Sequence, residues 1–142
     1  MSDMRPTWAF AAAALALPLL LTACSSDEAK AAATKACEVV MSGNGIDQDQ
    51  ADALRTRAQN VTDAAGMLAD AAAENPDYAQ LSSDAAEAAS DLAAQLEFAE
   101  VNGFDPEGWS DDVLADYQRE FPATREDPYA RLTSACAAQV TG

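Results

Sequence analysis

Apolar side chains recur at alternating spacings of three and four along the middle of the chain, the period of one helix face. One stripe runs Ala51, Leu54, Ala58, Val61, Ala65, Leu68, Ala72; the next runs Tyr78, Leu81, Ala85, Ala88, Leu92, Leu96, Ala99. Such stripes form the seams of left-handed antiparallel bundles. At 1.5 Å per residue each helix is roughly 35–40 Å long. Little more than Asn75 and Pro76 joins them, so a hairpin is expected, with Pro76 in the first-turn position that needs no N–H. Asp47 followed by Gln50 reads as a capping-box start for the earlier of the two.

Turn residues place the other breaks. Gly43-Asn44-Gly45 closes a first helix over residues 27–42, and residues 102–108 form a loop through Asn102-Gly103 and Asp105-Pro106-Glu107-Gly108. Pro122 and Pro128 bracket the last break, with Asp127 as an N-cap. No alternating β-branched run suggests a strand. The expected fold class is all-α: a small antiparallel helical bundle of about five helices, two long and three short. Alternation up and down would make the first, third and fifth helices parallel, with a separate fourth helix over residues 110–121.

Composition changes the picture of the core. Apolar residues make up 49% of the chain, but alanine supplies the largest share and aromatics only 6%. Alanine is the best helix former and buries little area. The heavier side chains come late: Phe104, Trp109, Val113, Leu114, Tyr117, Phe121, Tyr129 and Leu132. These segments are expected to act as a lid completing the core; core packing outweighs a ligand pocket as their role, because large side chains at helical spacing normally face inward.

Charge narrows the partners. Eight basic residues stand against 24 acidic ones, net −16, with no histidine. That balance disfavours nucleic acid and attraction to anionic lipid surfaces.

The N-terminus reads as a targeting segment. After Arg5, residues 8–21 form an apolar stretch interrupted only by Pro18. It is too short for a bilayer span, which needs ~20 residues, and suits a signal-peptide core. It ends Leu21-Thr22-Ala23-Cys24. This sequence resembles the lipobox of bacterial prolipoproteins: an aliphatic residue, two small residues and the cysteine that receives diacylglycerol. The resemblance implies lipidation of the Cys24 thiol and cleavage just before it. The chain then divides into a signal peptide (1–23), a short tether (24–27) and an acidic helical domain (28–142). It would be held at the extracytoplasmic face of the cell membrane through the lipid on Cys24. The alternatives are an ordinary secretory signal cut after Ala23 and a short tail with no processing. The composition also resembles alanine- and aspartate-rich lipoproteins of high-GC Gram-positive bacteria and their phages.

With Cys24 taken by lipid, Cys37 and Cys136 remain, and an exported protein matures where two such cysteines usually pair. Buried free thiols or a metal site are the alternatives, though two cysteines without histidine rarely suffice for zinc. Lack of histidine also removes histidine-based triads. Carboxylates cluster at Asp111, Asp112 and Asp116, and at Asp47, Asp49 and Asp52. Paired acids can hydrolyse glycosides across a cleft. Acids in first helical turns are expected from the helix dipole alone. The 44–52 segment lacks the sixth-position glycine and closing glutamate of a calcium loop, so no metal or cofactor is expected. The leading expectation is a non-enzymatic structural or interaction lipoprotein acting on another envelope protein; the alternative is a lipoprotein that binds a small apolar ligand or lipid.

Overall fold

The computed structural model describes the backbone of residues 17–42 and 49–142, and side chains from Asp27 onward. Five α-helices follow in order: α1 (Leu17–Ser42), α2 (Gln50–Glu74), α3 (Ala79–Asn102), α4 (Asp111–Glu120) and α5 (Pro128–Thr141). Among the described residues there is no strand, and the fold is an all-α bundle. The Gly43-Asn44-Gly45 turn, the Asp47 cap and residues 1–16 of the expected signal lie outside the described residues.

Helix α1 starts at Leu17, ten residues ahead of the expected start, and passes through the 24–27 tether unbroken. Leucines before Ser25-Ser26 and alanines after it sustain the helix, since serine costs only a few tenths of a kcal/mol within it. Its inward stripe is Ala29, Ala33, Ala36, Cys37 and Val40, each at most 1% exposed.

Helix α2 begins behind Asp49, whose carbonyl accepts the Ala53 N–H at 2.8 Å while its side chain makes no cap bond. It buries Ala58, Val61, Ala64, Leu68 and Ala71. The expected stripe named Ala65 and Ala72 in place of Ala64 and Ala71. Both are half-buried, because α2 lies between two neighbours and covers a face wider than a two-helix seam. Its end follows the sequence. Asn75, held extended before Pro76, accepts the Asp77 N–H at 3.0 Å, and a single 3₁₀ turn (Pro76–Tyr78) leads into α3. Arg55 reaches Glu100 at 3.9 Å, which shows α2 and α3 running antiparallel.

The loop after α3 turns at Gly103, with φ +98, the one described residue in left-handed territory, where a side chain would be strained. Asp105 then caps a 3₁₀ turn (Pro106–Gly108), and Ser110 and Asp127 cap α4 and α5.

Four helices make the core. Helices α1 and α3 each pack against both α2 and α5, closing a ring around Val40, Val61, Leu68, Leu92 and Leu132. Helix α4 stays outside and buries none of its residues. The expected lid is therefore corrected. Of its eight residues Leu132 is fully buried and Tyr129 packs against the core, while Leu114 is 39% exposed. The narrow alanine interior is closed by α5 alone, leaving no room for α4.

The expected direction of the fifth helix, parallel to the first and third, is also corrected. Asp91 pairs with Arg125 just before α5, and Asp84, seven residues earlier, pairs with Arg131, six residues later. Chain positions thus advance along α5 as they retreat along α3, and the two run antiparallel. The α4 excursion returns the chain to the middle of α3 rather than to its far end.

Cys37 and Cys136 are nevertheless brought to disulfide distance, with Cα atoms 4.9 Å apart and no exposed surface. The bridge ties α1 to α5 across 99 positions. The entropic account gives about 4.7 kcal/mol for closing a loop of that length. Replacing both cysteines with alanine should lower unfolding free energy by about 2–5 kcal/mol in denaturant titrations. Equal stability of this variant and the oxidised parent would show that the bridge contributes nothing.

Candidate functional site

The sequence-designated residues are not drawn together. Cys24 lies within α1, its side chain outside the described set. Asp111, Asp112 and Asp116 are exposed on α4, where the first two occupy the first turn and Asp116 meets Arg119 at 2.8 Å. Asp49 and Asp52 are exposed at the start of α2, with Asp52 3.7 Å from Arg55. Among the described residues no group of three histidine, cysteine or acidic side chains is placed to hold a metal ion. Cys37 and Cys136 are the pair that the fold unites.

Two carboxylates missed by the sequence reading are buried instead. Asp84 and Asp91 lie one heptad apart on α3, 5% and 8% exposed. Each accepts from a glutamine on its own helix, Gln80 to Asp84 at 3.0 Å and Gln95 to Asp91 at 2.7 Å. Each also takes an arginine from the C-terminal segment: Arg131 Nε to Asp84 at 3.1 Å, and Arg125 to Asp91. Arg131 holds Glu87 as well and lies 3.5 Å from Glu126. Its guanidinium is raised above its ordinary value first by the Glu87 hydrogen bond, against some desolvation, then by the charges of Glu87, Asp84 and Glu126. The available signal was the seven-residue repeat of acids beside the α3 stripe, matched by one arginine within the last break and one just after it.

On the outer side of α3, Phe98 is the hub of an aromatic group, edge-on to Trp109, Tyr117 and Phe121 at ring distances of 5.4, 5.3 and 6.3 Å. Such pairs contribute about 0.5–1.5 kcal/mol each beyond area burial. Trp109 Nε1 donates to the Gly103 carbonyl at 2.8 Å. Helix α4 is thus held by rings on one side and by the Asp91–Arg125 pair behind it. The sequence reading gathered three of these rings into the core lid and passed over Phe98, which lies off the α3 stripe.

Two open grooves flank this group. One runs beside Ser90, Ala94, Phe121 and Pro128; the other lies between Ala94, Phe98 and Val101 on α3 and Glu120 on α4. They share Ala94 and Glu120, so they are continuous. A further groove, at the start of α2, is bordered by Asp49, Asp105 and Glu107 beside Phe104. Among the described residues no helix is long and apolar enough to cross a membrane. Comparison of the chain with protein-family models, curated proteins and solved structures finds no match.

Removing the Arg125 charge in Arg125→Met should leave Asp91 with Gln95 alone and lower stability by about 1–3 kcal/mol, read from thermal or denaturant melts. Unchanged stability would make the pair a surface contact of no consequence.

The Tyr117 phenol is pushed above its ordinary 10.0, first by burial and then by the carboxylates of Asp91 and Asp127. The unfolded chain therefore loses this proton at lower pH than the fold. The resulting stability is complete below about pH 10 and disappears as pH rises through the folded value. Stability measured across that alkaline range should fall, and fall less steeply in Tyr117→Phe. An identical slope in both proteins would remove Tyr117 as the cause.

Proposed function

We propose that the protein is an exported lipoprotein, anchored through diacylglycerol on Cys24 and acting as a non-enzymatic interaction module at the extracytoplasmic face of the cell membrane. The observation that carries the anchor is Leu21-Thr22-Ala23-Cys24 closing an apolar stretch of signal-peptide length. Two acyl chains hold a protein stably where one does so only marginally, so the lipid replaces a membrane span.

The interaction role is supported by the character of the domain. Its interior is filled by aliphatic side chains and the two cysteines, and its polar surface carries a partly apolar groove beside α3. The buried carboxylates are occupied by arginine and glutamine partners, an arrangement that holds helices together.

Processing offers the direct test. The wild-type chain should yield a mature form beginning at Cys24 and carrying diacylglycerol mass, while Cys24→Ser should accumulate as an uncleaved, unlipidated precursor. A mature form beginning at Cys24 without that mass would overturn the anchor.

A further inference from the structure

The outward face of α3 has a stripe at helix-packing spacing that the rings packed on Phe98 cover only in part. Ala94, Phe98 and Val101 follow one another at i, i+4 and i+7, and Val101 is 79% exposed, the most exposed large apolar residue described. Ala94 is small enough to let another backbone approach, Phe98 forms a half-buried floor, and Phe121 borders the adjoining groove. Glu97 on α3 and Glu120 on α4 stand on either side of the Val101 stretch, exposed. Among the described residues neither carboxylate has an ion-pair partner; the arginines that form bridges there, Arg55, Arg119, Arg125 and Arg131, all meet other acids.

Charge selects the occupant. A second copy would bring its own net −16 and set carboxylates against carboxylates, and an anionic lipid surface would be repelled in the same way. A cationic segment is attracted. A helix suits the groove, since its apolar residues at i, i+3 or i+4, and i+7 can seat along the matching stripe. We propose that the groove between α3 and the end of α4 docks a cationic amphipathic helix of a partner protein. Phe98 and Val101 receive its apolar side chains, and Glu97 and Glu120 meet its lysines or arginines. This deepens the interaction-module reading and rests on it.

The probe is a synthetic leucine–lysine amphipathic helix of about fourteen residues, four turns long. It is titrated at about 0.15 M salt, where long-range attraction is screened, into the full chain held in neutral detergent. Backbone NMR shifts should concentrate at Ala94, Phe98, Val101 and Glu120. Val101→Asp is the deciding variant, because an exposed position should not disturb folding and the change adds negative charge. Groove docking should weaken about tenfold or more, whereas diffuse attraction to an acidic surface would be unchanged or tighter. Either of the latter results overturns the proposal, as does a concentration-dependent shift at Val101 without peptide, which would mark self-association.

A second arm separates this failure from failure of the parent reading. A photo-crosslinking residue is placed at Val101, or at the exposed Ala138 on α5, in the envelope-anchored protein. Crosslinks from Val101 that disappear on adding Glu120→Lys support the groove. Crosslinks from Ala138 alone overturn the groove and leave the module reading standing. An absence of crosslinks from both positions, with lipidation intact, counts against both.

Discussion

The Cys37–Cys136 bridge carries an unusual share of the fold because the interior around it is so light. Nine of the sixteen buried apolar residues described are alanine, the rest are leucine, valine and cysteine, and no aromatic ring is among them. Alanine seams let helices approach closely, yet each buried methyl contributes only on the order of 1 kcal/mol. A cross-link acts differently, by restricting the unfolded chain. Joining α1 to α5 closes the ring of four helices at the junction that lies furthest apart in sequence. The other three junctions involve segments nearer in the chain, whose closure costs less entropy.

The α3–α5 junction uses a second device suited to the same poverty of apolar surface. Asp84 and Asp91 are buried, and each is satisfied by a glutamine from its own helix and an arginine from the opposing segment. A buried carboxylate without its partner is costly, so sliding α5 along α3 would strand both at once. Alanine seams are nearly featureless and offer little resistance to such slips. The two pairs fix register and direction where packing leaves them weakly defined, and they explain why α5 runs against α3.

The periodicity of the chain made much of this legible. The Asn75-Pro76 corner, the Gly103 turn and the Asp127 cap announce themselves because backbone geometry demands those residue types locally. The α3 stripe was legible for the same reason, since Leu81, Ala85, Ala88, Leu92 and Leu96 all reach the core or its edge. What depended on long-range pairing was hidden. Nothing local distinguishes Asp84 from a solvated acid until Arg131 is brought to it. Likewise the weight of Trp109 and Tyr117 suggested core, but whether a short helix fits inside is set by the width of the ring. Helix direction failed for that reason too: alternation is a rule of short connections, and the 121–128 segment can return the chain at any height.

Placing α4 outside the ring has a consequence for the surface. A helix that buries none of its own residues still lays Tyr117 against Phe98, with Trp109 before it and Phe121 after it, and so leaves α3 half covered. Along the uncovered half, Ala94 and Val101 continue the helical ridge into solvent beside carboxylates. In a bundle stabilised by a cross-link and paired charges, such a face need not be withdrawn into the core to keep the fold intact. Its freedom from structural duty makes it the part of this acidic domain best suited to meet something else.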